Sequence, residues 1–156
     1  MAWSASKIMT KPLLDKLNSD NAMDYNGDAF KAALYNNTPT PDNTVTTTAL
    51  SSYNGSSSQW VTANEVTDSS GWPAGGRSLA SVTVAQSAAV ITFDAADTTS
   101  ANSTTTLASV YGCLNYDTTV SSLGLCYNYF GGTNSVTSGT FTIVWSASGV
   151  ATITLT

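Results

Sequence analysis

The side chains that most often carry acid–base and nucleophilic chemistry are scarce in this chain. Histidine is absent from its 156 residues, which removes the Ser–His and Cys–His pairs and the commonest general base. The acidic candidates are Asp94 and Asp97, in the segment FDAADTTS, and Glu65, the lone glutamate. Two aspartates that bracket a turn after a strand more often accept hydrogen bonds from backbone N–H groups than exchange protons with a substrate. The sequence therefore predicts a protein that is not an enzyme.

Metal-binding patterns are also weak. The segment DYNGDAF places Asp24, Asn26 and Asp28 at alternate positions, as at the start of a calcium-binding loop. However, glycine stands at the fourth position instead of the sixth, and Tyr35 occupies the place of the glutamate that would close such a loop. The segment is therefore interpreted as an Asx-turn that leads into a strand. Two cysteines without histidine make a poor zinc site, and no cofactor is expected.

The aromatic residues allow two interpretations. Tyr53, Trp60, Trp72, Tyr127 and Tyr129 could form a platform on which sugar rings stack, as in a carbohydrate-binding module. The same residue types also fill the cores and the subunit interfaces of β proteins. A core or interface role is favoured, and the sugar-binding role stays open.

A short helix is predicted near the amino terminus. Residues 10–19 (TKPLLDKLNS) have a proline in the first turn and place Leu13, Leu14 and Leu17 on a common face. This apolar face is expected to pack on the rest of the protein or on a neighbour.

The rest of the chain has the alternation of β-strands. FKAALY (30–35) predicts a strand, and the Thr-, Ser-, Pro- and Asn-rich residues 36–58 predict a long surface connection. Later strands, with a bulge near Ser81, are expected to form an antiparallel meander at residues 77–86, 89–93, 106–116, 123–130, 139–145 and 149–155. The fold class expected is mainly β: an antiparallel β-sandwich or barrel-like domain with a short N-terminal helix. Residues 1–20 would form an arm and residues 21–156 a single β domain.

The hairpin around DTTVS allows a register to be predicted. If its turn is centred after Thr119, Leu114 faces Leu125 on an apolar face, and Cys113 faces Cys126 on the other face. Two reduced, half-buried thiols are favoured for a protein made in a cytoplasm, and a disulfide formed after release from the cell is the alternative.

The composition narrows the kind of partner. Charged residues make up 10% of the chain and the net charge is −5, so Ser, Thr and Asn must cover much of the surface. Such groups are easily buried against a neighbour, which favours an association surface, although a merely polar, β-prone surface explains them nearly as well. The five cations form no cluster that could neutralise several phosphates. Nucleic acid is therefore not expected as a partner.

Targeting and membrane-spanning segments are not evident. The start, MAWSASKIMTKPLLDKL, lacks the apolar region of a signal peptide, and no run approaches the roughly 18 apolar residues of a membrane span. The protein is therefore expected to be made in a cytoplasm and to have no membrane partner.

Several motifs in a fixed order resemble a family of small structural proteins of tailed phages. They are LLDKL…GDAFKAALY near the amino terminus, NEV…GWPAGGRSL (64–79), VITFDAAD (90–97), VYGCLNYD (110–117) and YNYFGG…VTSGTFTIVW…GVATI (127–153). Together they span nearly the whole chain. Members of this family are head-decoration, minor-capsid, fibre-base or minor-tail components, so the resemblance implies a place in the virion. The chain departs from the family pattern at Tyr129, where many members have Asp, and in its two cysteines.

The function expected from this resemblance is that of a head decoration or minor capsid protein, which oligomerises and cements the capsid surface. It would be located in the virion, assembled in the host cytoplasm, with the major capsid protein or other virion proteins as partners. A receptor- or glycan-binding module of a tail or fibre, with Tyr53 and Trp72 as stacking residues, is the alternative. The residues expected at an interface between chains are Trp3, Ile8, Met9, Leu13 and Trp72.

Overall fold

The computed structural model describes residues 3–20 and 22–156; residues 1, 2 and 21, which belong to the predicted arm and to its boundary with the β domain, lie outside the described residues. The strands, in chain order, are β1 (Lys7–Ile8), β2 (Phe30–Tyr35), β3 (Arg77–Ser78), β4 (Thr83–Ser87), β5 (Val90–Asp94), β6 (Thr98–Thr99), β7 (Thr105–Asp117), β8 (Gly124–Gly139), β9 (Thr142–Ile143) and β10 (Ala151–Thr154). The helical elements are α1 (Thr10–Asn18), α2 (Thr48–Ser51) and a 3-10 turn at Thr62–Asn64. The prediction of a mainly β fold with antiparallel sheets and a short helix near the amino terminus is confirmed.

Strand β2 lies between β7 and the edge strand β3 in the larger sheet. This sheet, here called the inner sheet, has the order β1-β8-β7-β2-β3, and each neighbouring pair is antiparallel. Alternation sends Phe30, Ala32 and Leu34 into one apolar cluster and Ala33 and Tyr35 into another, and all five are buried. A strand with two apolar faces must be covered on both sides, so core lies on either side of the inner sheet. The strand begins and ends where the sequence predicted.

A smaller sheet, here called the outer sheet, has the order β10-β5-β4. The extended conformation is interrupted between β3 and β4 at Ser81, which has a positive φ of 53°. The sequence predicted a bulge near this residue. The hairpins β4–β5 and β7–β8 are present, but β10 pairs with β5, while β9 pairs with β6. The prediction of a simple meander is therefore wrong. The physical reason is that β10 adds Ala151 and Ile153 to the apolar face that β5 already presents.

The hairpin of β7 and β8 has a register that differs from the prediction. Leu114 faces Tyr127 instead of Leu125. Ser121 and Ser122 both adopt positive φ angles, and the turn that contains them lies nearer to β8 than predicted. From Gly112 to Asn115 the shift is two residues, which leaves these side chains on the face that alternation gives them.

Helix α1 forms where the sequence predicted it, but a different side of it is buried. Leu14 and Leu17 are 51% and 85% exposed, so these two residues do not pack on their own chain, and their packing on a neighbour stays a prediction. Asp15 is turned inward instead, and its carboxylate forms an ion pair with Lys11 one helical turn earlier. The exposed leucines are therefore available at the surface of the chain.

The segment predicted to be an arm packs on the sheet of its own chain. The β1 strand pairs with β8, and the Trp3 ring lies 5.7 Å from that of Trp60. The indole N–H of Trp3 donates a hydrogen bond of 2.9 Å to the carbonyl oxygen of Asn36. Gly112 makes room for this ring, because a Cβ atom there would come within 2.6 Å of it. Trp3 is therefore a core residue of this chain.

The long connection at 36–58 contains no strand, as predicted. It carries the short helix α2, and Ser52 forms an isolated bridge with Leu123. A positive φ of 51° at Asn54 marks the turn that the sequence indicated at Asn54-Gly55.

Candidate functional site

An apolar groove lies between helix α1 and the outer sheet. Its volume is about 30 Å³. Its walls are Ile8, Leu13, Tyr25, Val84, Ile91, Phe93, Leu125, Ala151 and Ile153. A space of this size holds about one water molecule, so the groove suits a side chain protruding from a partner and not a small-molecule substrate.

The groove exists because the strands of the outer sheet alternate between apolar and hydroxyl side chains. Ile91 pairs with Ile153, and Val84 pairs with Phe93, so these four side chains share one face. Phe93 is buried, whereas the other three are only half-buried. Covering the remaining surface of one such side chain would stabilise a complex by about 1 kcal/mol.

The edge strand β4 borders the same groove. It is the last strand of the outer sheet, and its outer edge pairs with no other strand of the described residues. Its sequence, TVAQS, contains neither a charged residue nor proline. Proteins usually protect such an edge with lysine, proline or a bulge, because its unpaired N–H and C=O groups recruit another strand. Since Val84 belongs to both features, the edge and the groove form one continuous surface.

Two of the five residues predicted at an interface, Ile8 and Leu13, line this groove. The other three, Trp3, Met9 and Trp72, are at most 1% exposed, and their assignment to an interface is wrong. Both tryptophans donate their indole N–H groups to backbone carbonyl oxygens inside the fold. Their polar atoms are satisfied there, so the whole side chain can be buried.

Val84, Ile91 and Ile153 are among the groove residues that were not predicted to lie at an interface. Each belongs to a predicted strand, and the period-two alternation of VTV, AVITF and ATITL was the available signal. Their proximity depends on the pairing of β10 with β5, which alternation alone does not specify.

The acidic motifs bind backbone groups, as predicted. Oδ1 of Asp24 accepts hydrogen bonds of 3.1 Å from the N–H groups of Asn26 and Gly27, which makes the Asx-turn before β2. Oδ1 of Asp94 and Oδ1 of Asp97 each accept a backbone N–H at 2.9 Å. Within the part of the chain that the structure describes, no three His, Cys, Asp or Glu side chains are arranged to hold a metal ion.

The two thiols are free and buried. Cys113 faces Asn128 and Cys126 faces Asn115, so the predicted direct pairing of the cysteines is wrong by the same two-residue shift of the hairpin. Burial raises the pKa of Cys126 to about 12 and that of Cys113 well above its ordinary value. Both thiols are therefore protonated at neutral pH and are poor nucleophiles.

Buried carboxylates away from the groove hold turns in place. Burial raises the pKa of Asp117, and the neighbouring Asp28 carboxylate raises it further. Burial also raises the pKa of Glu65, whose carboxylate accepts hydrogen bonds from the Tyr53 hydroxyl at 2.9 Å and from the Gly75 N–H at 2.8 Å. The Glu65 contacts tie the loop segments that carry Tyr53 and Gly75 to one another.

Tyr53 and Trp72, which the sequence predicted as the stacking residues of a glycan-binding module, are engaged inside the fold. Tyr53 stacks on Tyr116, with ring centroids 4.7 Å apart, and Trp72 is fully buried. The glycan-binding prediction is therefore wrong in the residues that it named, because the core needs these rings for its own packing.

Comparison of the chain with protein-family models, with curated proteins and with solved structures found no match. Among the described residues, no helix has both the length and the apolar character required to cross a membrane. What the chain does must therefore be inferred from its own surfaces.

Proposed function

We propose that this protein is a non-enzymatic structural component of a tailed-phage virion, specifically a head decoration or minor capsid protein that oligomerises and cements the capsid surface. The observation that carries the proposal is the continuity of the apolar groove with the uncharged free edge of β4. A shallow apolar surface bordered by unpaired backbone groups suits a protein partner. The ordered motifs that resemble small phage structural proteins support the same assignment.

The partner that fits the free edge of β4 is the β4 strand of a second copy. TVAQS can pair antiparallel with itself without bringing like charges together. Two identical strands paired in this way are related by a twofold axis perpendicular to the sheet. The two outer sheets would then form one continuous sheet, and both apolar grooves would open on the same side of it.

Two grooves on one side suit attachment to a flat shell. Apolar side chains of the shell subunits would fill the grooves, and the scarcity of charged residues keeps the desolvation cost low. Each contact is small, but a dimer that binds through two grooves gains by multivalency. The net charge of −5 disfavours contact with packaged DNA and favours the outer surface of the shell.

The copy number of the protein in purified virions tests this assignment. The measurement is quantitative mass spectrometry of virions from a phage that encodes this chain, with the major capsid protein as the internal standard. Hundreds of copies per particle are expected for a decoration or minor capsid protein. A handful of copies would instead assign the protein to the tail or to a vertex. Absence from the virion would overturn the proposal.

The oligomeric contact is tested separately by charging the free edge. Val84→Lys places a charge on both the edge and the groove, so self-association measured by sedimentation velocity should weaken about tenfold or more. Val144→Lys is the matched control, because Val144 is 73% exposed and does not line the groove. Equal association by both variants and the unmodified chain would exclude β4 as the contact.

A further inference from the structure

A second concavity lies on the other side of β1, against β8 and β9. It has a volume of about 330 Å³ and shares no lining residue with the apolar groove. A neighbouring space of about 320 Å³ shares Ser6, Asn128, Ser146 and Gly149 with it and continues along β1 and β10. We call the first of these spaces the polar cleft; its extension makes it long enough for a chain-like ligand.

The walls of the polar cleft combine aromatic rings with uncharged polar groups. Tyr129 and Trp145 are half-buried and supply the rings. Hydroxyl and amide groups are supplied by Ser6, Asn128, Asn134, Thr142 and Ser146. No charged side chain lines the polar cleft itself, and Lys7 is the charged residue that lines its extension. A phosphate, carboxylate or ammonium group would therefore lose its hydration there without gaining a charged partner.

The aromatic walls are held in place by hydrogen bonds at Trp145 and by stacking on one ring face at Tyr129. The backbone N–H of Trp145 donates to Oδ1 of Asp97 at 2.9 Å, and its indole N–H donates to Oγ1 of Thr98 at 3.3 Å. The ring of Tyr129 stacks on that of Trp3 at a centroid distance of 6.4 Å, with 23° between the ring planes. Rings fixed in this way lose little entropy when a ligand packs on them.

The amide at the base of the cleft is fixed as well. Oδ1 of Asn128 accepts a hydrogen bond of 2.7 Å from Asn115, and its Nδ2 donates to the Val150 carbonyl oxygen at 3.2 Å. By contrast, Nδ2 of Asn134 donates only to the nearby Gly132 carbonyl oxygen at 3.1 Å. The hydroxyls of Ser6 and Ser146 accept backbone N–H groups and so keep their O–H donors for a ligand, as the Asn134 carbonyl oxygen keeps its acceptor sites.

We propose that the polar cleft binds a neutral oligosaccharide, with sugar rings packed on Trp145 and Tyr129 and their hydroxyls bonded to the uncharged rim. A sugar presents an apolar C–H face and a ring of hydroxyl groups, which matches these two kinds of wall. Cleavage of the glycosidic bond would need two carboxyl groups across the cleft, and its lining contains none. The cleft is thus a binding site, and its use does not depend on how copies of the chain associate.

Native gel electrophoresis through soluble polysaccharides tests the proposal on the full chain. Dextran, glycogen and galactomannan are the neutral probes, and polygalacturonate is the charged one. At least one neutral polymer should retard the protein, whereas polygalacturonate should not. Retardation by polygalacturonate alone, or by none of the four, would overturn the proposal.

Tryptophan fluorescence gives an independent signal from the same cleft. Trp3, Trp60 and Trp72 are at most 1% exposed, so Trp145 is the tryptophan of the described residues that a ligand can reach. The polymer that retards the protein should shift the emission, and acrylamide quenching of Trp145 should fall. An unchanged spectrum at saturating polymer would contradict binding at this cleft.

A pair of exposed positions supplies the matched variants. Val144 lines the cleft and is 73% exposed, whereas Leu155 is 63% exposed and lies outside it. Val144→Glu should weaken retardation about tenfold or more, because it brings a carboxylate that must be desolvated when sugar binds. Leu155→Glu, with the same change in charge, should bind like the unmodified chain. Equal effects of the two variants would overturn the assignment to this cleft.

Discussion

The Asn115 side chain donates a hydrogen bond of 2.7 Å to Oδ1 of Asn128 across β7 and β8, inside the inner sheet. Asn115 is fully buried and also donates to the sulfur of Cys126 at 3.4 Å. Asn128 in turn donates to the carbonyl oxygen of Val150, just before β10. A single polar chain therefore connects the middle of the inner sheet to the segment that enters the outer sheet.

Removing the amide of Asn115 should destabilise the fold. Asn115→Ala removes the hydrogen bond of 2.7 Å to Oδ1 of the half-buried Asn128 and the bond of 3.4 Å to the sulfur of the buried Cys126, so the free energy of unfolding should fall by about 2 kcal/mol. Urea denaturation followed by circular dichroism measures the change. Asn37→Ala is the control, because Asn37 is exposed and should change stability by less than about 0.5 kcal/mol. Equal losses in both variants would show that the buried network has no special role.

A thiol reagent should label the two cysteines only when the protein is unfolded. Because Cys113 and Cys126 are buried and protonated, Ellman's reagent should react with neither in the native protein and with both in guanidinium. Mass spectrometry under non-reducing conditions should find the two thiols unlinked. Rapid labelling of the native chain, or a mass two hydrogens lighter, would contradict this arrangement.

The stability of the protein should depend on pH through Asp117. The folded-state pKa of Asp117 is raised, so its protonated form stabilises the fold below the unfolded-state pKa of about 4, and this contribution is lost as pH rises through the folded pKa. Asp68 acts in the opposite direction, because four hydrogen bonds lower its pKa. Because burial is the larger cause of the Asp117 shift, Asp28→Asn should reduce the first effect and leave the second unchanged.

Thermal melts at two pH values separate these contributions. Asp28→Asn relieves the repulsion of Asp117, so it should raise the melting temperature at about pH 8 and change it little at about pH 4. Asp94→Asn removes the same charge elsewhere and should show no such difference between the two pH values. A variant that melts like the unmodified chain at both pH values would rule out the carboxylate pair as a source of pH dependence.

Trp3 should behave as a core residue. Trp3→Ala removes a ring that packs on Trp60, Tyr127 and Tyr129, so the free energy of unfolding should fall by about 3–5 kcal/mol. Leu17→Ala, in the same amino-terminal segment but at a position that is 85% exposed, should cost less than about 0.5 kcal/mol. Both are measured by denaturant unfolding at a fixed protein concentration. A small loss of unfolding free energy for Trp3→Ala would instead support the prediction that residues 1–20 form an arm.

The sequence predicts the helices and strands better than it predicts which strands pair and in which register. FKAALY alternates and is bounded by turn residues, so both ends of β2 were predicted, and α1 was found by its proline and leucines. The register of β7 and β8 was missed because a shift by two residues preserves the alternation. Only the conformation of the turn, with Ser121 and Ser122 at positive φ, fixes that register.

Part of the candidate site was predicted from the sequence. Ile8 and Leu13 were expected at an interface because they are apolar residues in a short segment near the amino terminus, and they do line the groove. Trp3 and Trp72 belong to the same apolar class, but each finds a backbone carbonyl oxygen for its indole N–H inside the fold. Whether an aromatic residue faces inward or outward thus depends on contacts with residues more than 30 positions away.

The position of β2 also has a consequence for synthesis of the chain. Its neighbours in the inner sheet are β3, at residues 77–78, and β7, which ends at residue 117. Closing such distant pairings is slow compared with local helix or hairpin formation. A nascent chain therefore exposes an apolar segment at 30–35 until most of the polypeptide has left the ribosome. Aggregation during this interval competes with folding, so soluble yield should rise when translation is slowed by cooling.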